Sequence, residues 1–150
     1  MPIAVGQPAP DFTLKDQHQN EVKLSDFRGK KKVVLVFYPL DWSPVCTNEH
    51  ACFVNDLKEF EQLDAQVLGI SVDSRHSSTA FAEHLKLEFP LLSDFDKRVT
   101  RAYGVLREGG FAERALFVID RNGRIAYAHI NAIGEVPDNA PVFEVLEKLK

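Results

Sequence analysis

Apolar positions fall at two periods along this chain. Val33-Val34-Leu35-Val36-Phe37-Tyr38 and Val67-Leu68-Gly69-Ile70-Ser71-Val72 are apolar on both faces, which predicts buried central strands. Between them, residues 44–63 repeat at helical spacing. At 100° per residue, Phe53, Leu57 and Phe60 fall within about 40° of Cys46, and Val54 about 80° away. Ser43 is a good N-cap. Pro44 suits the first helical position, where its missing N–H has no intrahelical partner to lose. The pattern therefore predicts strand, short loop and helix, with Cys46 at the third helical position and at the head of the buried stripe.

Upstream, Asp11-Phe12-Thr13-Leu14 and Glu21-Val22-Lys23-Leu24 predict a hairpin around the polar stretch Asp16 to Asn20. Ser25 to Gly29 reads as one helical turn. Downstream, Ser77 or Ser78 is expected to cap a helix running through Leu87. A short segment follows at Pro90 to Asp94, and a short helix from Lys97 to Tyr103 closes at Gly104. Ala115 to Ile119 and Arg124 to Ile130 are expected strands, joined at Asp120-Arg121-Asn122-Gly123, a strong hairpin signal. A last helix opens at Asp138-Asn139-Ala140-Pro141, with Val142, Val145, Leu146 and Leu149 as its apolar face. Interleaved strands and helices argue an α/β class. Residues 1–150 are expected to be a single domain, without repeat or linker.

Composition changes this picture little. Apolar content of 45% with 27% charged residues is ordinary for a folded domain. A net charge of −4 gives no reason to expect nucleic acid or an anionic membrane as partner. The one dense basic patch, Lys30-Lys31-Lys32, is expected to solvate a strand entrance. No signal peptide and no membrane-spanning run are visible, so a cytoplasmic location is expected. Two cysteines, Cys46 and Cys52, are too few and too close for a secreted disulfide scaffold.

The chemistry centres on Cys46. A thiol near pKa 8.5 is only a few per cent ionised at neutral pH. Lowering it to about 6 needs about 3.4 kcal/mol of differential stabilisation, and a helix N-terminus supplies about 0.3–1, or about 2 in favourable sites. A cation or further hydrogen bonds are required; otherwise Cys46 is a buried, inert residue. Arg114, at the mouth of an apolar strand, is the best candidate cation, although a solvated strand end fits the same pattern. Glu49, one turn beyond Cys46, either orients an arginine or simply faces solvent near the positive end of the helix. Cys52 lies about 9 Å further along the helix and about 120° around it. That is too far for a disulfide while the helix is intact, so it is a resolving thiol after unwinding or a bystander. Metal binding by Cys46, His50 and Cys52 is the weaker alternative, since Cys52 faces away. His84 and His129 stand alone.

Pro39-x-x-x-Ser43-x-x-Cys46 resembles the active-site pattern of the peroxiredoxins. The resemblance extends over nearly the whole chain, through Gly6-x-x-Ala9-Pro10-Asp11-Phe12, Phe37-Tyr38-Pro39, Cys46-Thr47-x-Glu49 and Arg114-Ala115-x-Phe117-Val118-Ile119-Asp120. It implies a thioredoxin-like fold, a central mixed sheet flanked by helices with an N-terminal hairpin extension. It also implies thiol-dependent reduction of hydrogen peroxide or organic hydroperoxides. Cys46 would be the attacking thiolate and pass through sulfenic acid. Ser43, the Cys46 backbone N–H and Arg114 would hold the peroxide oxygens, Pro39 would shield the thiolate, and Glu49 would align the arginine. No metal or organic cofactor is implied. The reductant would be thioredoxin, a glutaredoxin-like protein or a small thiol, and the assembly a homodimer, with Trp42 and the Arg107–Phe111 turn as contacts. A peroxide-sensing thiol relay on the same fold is the alternative. The six-residue gap to Cys52 departs from the five of the bacterioferritin-comigratory type. The lack of a late cysteine argues against the typical two-cysteine class. An AhpE-like or one-cysteine subtype is therefore expected, with Cys52 as a possible local resolver.

Overall fold

A computed structural model describes residues 2–41, 44–132 and 138–149, apart from the side chains of Pro44, Val45, Cys46, Glu49, His50, Asn55 and Arg75. In chain order its elements are β1 (Thr13–Lys15), β2 (Glu21–Lys23), a 3-10 turn (Leu24–Phe27), β3 (Lys32–Phe37), α1 (Pro44–Gln62), β4 (Ala65–Ser71), α2 (Arg75–Leu85), β5 (Leu91–Ser93), α3 (Arg98–Ala102), β6 (Arg114–Ile119), β7 (Ile125–Asn131) and α4 (Ala140–Lys148).

β1 and β2 form a small antiparallel sheet of their own. The main sheet has the order β5-β4-β3-β6-β7. β3, β4 and β5 run parallel, while β6 is antiparallel to β3 and to β7. The sheet is thus mixed: β3–α1–β4 supplies the parallel half, and the tight turn at Asp120 to Gly123 supplies the antiparallel half. That turn closes through Gly123 N–H donating to Asp120 O and two backbone donors on Asp120 Oδ1. Gly123 has φ +80°, a left-handed backbone that a larger residue adopts only with strain; the Arg28 guanidinium that a Cβ there would meet is the end of an exposed, flexible side chain and can move aside.

Strand alternation sorts the core into two layers. Leu35, Phe37, Ile70 and Phe117 face a layer closed by Phe12, Leu14, Val99 and Tyr103. Val34, Val36, Tyr38, Leu116 and Val118 face the opposite layer, closed by Phe53 and Phe60 of α1, Phe81 of α2, and Val142 and Leu146 of α4. The predicted apolar stripes of α1 and α4 are the ones that pack there.

Two expectations need correction. Lys32 does not solvate a strand entrance: it is 4% exposed, and its ammonium donates to Leu146 O (3.1 Å) and Leu149 O (3.4 Å). The orphan carbonyls at the end of α4 capture it, as a helix C-terminus favours a cation; Lys30 and Lys31 are exposed. The α2 cap is Ser74, whose side chain accepts from Ser77 N–H. Ser77 and Ser78 spend their hydroxyls elsewhere, as described below.

Candidate active site

The chain leaves β3 at its C-terminal end and enters α1 over a short loop. Tyr38 and Pro39 are buried, Leu40 is exposed, and Asp41 is buried again. α1 begins at Pro44, which makes Cys46 its third residue, in the register the cap pattern predicted. There, backbone N–H groups lack intrahelical acceptors and the helix dipole is positive. No acidic residue occupies this first turn. Ser43 and Trp42 lie outside the described residues, as do the side chains of Cys46 and Glu49; Glu49 sits on α1 one turn beyond Cys46.

Arg114 is the first residue of β6 and is 1% exposed, not a solvated strand end. The β3–β6 register runs Leu35↔Phe117, Val36↔Leu116, Phe37↔Ala115. One step further, Arg114 stands level with Tyr38, where the chain turns toward α1. Its parity matches Leu116 and Val118, so it belongs to the face that α1 covers. Burying a guanidinium this deeply is costly unless acceptors surround it. Antiparallel pairing thus brings the chain's predicted cation to the sheet edge from which α1 starts.

Cys52 is half-buried and unbridged. α1 is continuous from Pro44 to Gln62, so the two cysteines are held about 9 Å apart along its axis. One turn on from Cys52, Asp56 accepts a hydrogen bond from Asn139 Nδ2 (3.0 Å), which ties that flank to the start of α4.

A hydrogen-bonded carboxylate that no sequence motif marks lies in the loop itself. Asp41 Oδ1 accepts from the Tyr38 hydroxyl (2.7 Å), and Oδ2 from the hydroxyls of Ser77 (2.9 Å) and Ser78 (3.1 Å). The Asp41 backbone N–H donates to Asp73 Oδ2 (2.7 Å). Asp73 is fixed in turn by its N–H on Ser71 Oγ (3.3 Å) and by Ser93 Oγ on its carbonyl (2.7 Å). Burial raises the Asp41 pKa to about 6; the Tyr38 hydrogen bond opposes this, the Asp73 charge adds to it, and the two serines oppose it. Burial, with the Asp41 charge, pushes the Tyr38 phenol well above its ordinary value. The available signal was a tyrosine ending a buried strand, whose hydroxyl needs a partner when buried.

Residues 5–128 match the AhpC/TSA family. The chain is 45% identical over 141 residues to a chloroplastic 2-cysteine peroxiredoxin of Chattonella marina var. antiqua, covering 87% of this chain and 72% of that protein. It is 44% identical over 139 residues to alkyl hydroperoxide reductase E of Mycobacterium tuberculosis, covering 91% of each. Among solved structures it superposes on the mitochondrial 2-Cys peroxiredoxin of Plasmodium falciparum with a TM-score of 0.87 and 34% identity, over 96% of this chain and 92% of that one.

Proposed function

The chain belongs to the AhpC/TSA family of peroxiredoxins, thiol-dependent peroxidases, and we propose that its peroxidase chemistry runs through Cys46. The observation that carries this is the pairing of one helix start with one buried cation. Cys46 lies in the first turn of α1, and the β3–β6 register brings Arg114 to the same end of the sheet. The helix end alone falls short of the stabilisation a reactive thiolate needs, and a guanidinium supplies the rest.

In this reading the Cys46 thiolate attacks one oxygen of the hydroperoxide. An S–O bond forms and the O–O bond breaks. Sulfur is oxidised to sulfenic acid, and the departing oxygen takes a proton to leave as water or alcohol. Negative charge grows on that oxygen, so fixed donors aimed at it accelerate the step. We assign that role to Arg114, the Ser43 hydroxyl and the Cys46 backbone N–H. Buried Pro39 walls the thiolate from water, and Glu49 orients Arg114. A thiol then condenses with the sulfenic acid, releasing water, and the disulfide is reduced by thioredoxin, a glutaredoxin-like protein or a small thiol. We favour an AhpE-like subtype, supported by 44% identity over 91% of both chains. Cys52 would resolve the sulfenic acid only if the start of α1 unwinds. A homodimer through the loop edge is supported by exposed Leu40 and Phe95.

Cys46→Ser is expected to abolish peroxide consumption with a dithiol reductant, and ordinary turnover in that variant would overturn the assignment. Intact mass after one equivalent of peroxide separates the two resolving routes. Loss of two hydrogens in the monomer means a Cys46–Cys52 bond; gain of one oxygen means a lasting sulfenic acid.

A further inference from the structure

Asp41 is not one of the groups assigned above to peroxide or thiolate, yet it is 7% exposed and carries three hydroxyl donors. It lies five positions before Cys46 in the chain. Its partners come from three other places: Tyr38 from the end of β3, Asp73 from the turn after β4, and Ser77 and Ser78 from the first turns of α2. Ser71, Ser78 and Tyr38 are themselves fully buried, so the frame around Asp41 is rigid. We propose that Asp41 is a positioning residue: its ionised carboxylate clamps the loop that enters α1 onto the start of α2, and so sets where Cys46 presents its sulfur. This rests on Cys46 being the peroxidatic thiol.

The donor set fits the charged form. Every group on the two carboxylate oxygens is an O–H donor, which an ionised carboxylate accepts without conflict. A proton on either oxygen forces one hydroxyl to turn away or to accept instead, and the clamp loosens. Among the described residues, the titratable groups that face Asp41 are Tyr38 and Asp73. Burial and the Asp73 charge place its ionisation within reach of acid-side measurements, and the hydroxyl donors hold it from rising further. Simple electrostatics predicts the opposite sign. A negative charge near a thiolate disfavours it, so a purely electrostatic Asp41 would hinder Cys46, and its neutralisation would speed the reaction.

The test uses the reduced full-length protein, hydrogen peroxide, and stopped-flow fluorescence of Trp42, the single tryptophan. Thiolate content is measured separately by its ultraviolet absorbance, so that rates are compared per thiolate from pH 5 to pH 8. In the wild type the rate per thiolate is expected to fall on the acid side. Asp41→Asn keeps the size but replaces one acceptor oxygen by an NH2 donor, as a proton would; it is expected to lose that limb and to react about tenfold more slowly at neutral pH, the scale of a small misplacement. The Ser77→Ala/Ser78→Ala double variant retains the carboxylate but removes two of its donors, and its acid limb is expected to move to higher pH. A per-thiolate rate in Asp41→Asn equal to or above the wild type overturns the proposal, even if that variant melts earlier. If Asp41→Asn does not fold, an unmoved limb in the double variant overturns it. Failure of the wild type to consume peroxide would instead overturn the assignment of Cys46.

Discussion

Arg114 holds a permanent charge at 1% exposure, and Lys cannot take its place without loss. The guanidinium presents a planar fork of donors, whereas an ammonium is a compact, strongly hydrated point. Arg114→Lys is therefore expected to slow peroxide reduction about 10²-fold, the scale of losing one aimed donor, with the far-ultraviolet spectrum unchanged. Stopped-flow rates against circular dichroism check this. Tyr38 makes a smaller, signed prediction. Tyr38→Phe removes the donor on Asp41 Oδ1 and leaves the ring packed against Phe81. It is expected to cost about 1 kcal/mol in urea unfolding. It should also raise the Asp41 pKa further, because the lost hydrogen bond is one that lowers it.

α1 is held to the sheet and to α4 by aromatic packing. Phe60 is fully buried, stacks on Phe53 at 5.4 Å, and meets Phe143 of α4 at 4.6 Å. Phe60→Ala is expected to cost about 3–5 kcal/mol and Phe60→Leu under about 1.5, measured by denaturant midpoints. Ser74→Ala, by loss of the α2 cap, should cost about 1 kcal/mol in the same assay. These elements were legible in the sequence because their causes are local. Phe53, Leu57 and Phe60 share a helical face by spacing alone, β3 is apolar at every position from Val33 to Phe37, and Asn122-Gly123 admits few backbone paths. Cys46 and Arg114 could be named for the same reason, one from cap spacing and one from its place before an apolar run. The role of Ser77 and Ser78 could not. Three serines stand within five positions, each a competent cap, and what separates Ser74 from the others is a carboxylate more than thirty residues away. Lys32 likewise looked like its basic neighbours until α4 ended above it.

Across the molecule, the sheet divides a layer of α1, α2 and α4 from a layer of hairpin and α3, and the site sits where the strands β3, β4 and β5 end. Asp41 joins those strand ends, and its ionisation is linked to folding. Its folded pKa of about 6 lies above the ordinary 3.8. Its favourable contribution is thus complete below about pH 4 and is lost as pH rises through about 6, an amount on the order of 3 kcal/mol. Urea unfolding of the wild type and Asp41→Asn between pH 4 and pH 7 checks this: the wild type should lose ground to the variant with rising pH and then level off. At neutral pH the buried charge therefore works against the fold that contains it. A random library of this gene, screened at neutral pH only for survival of heating, should accumulate uncharged residues at position 41. The same library screened for resistance of its host to peroxide should keep the aspartate, so the two selections would pull one codon in opposite directions.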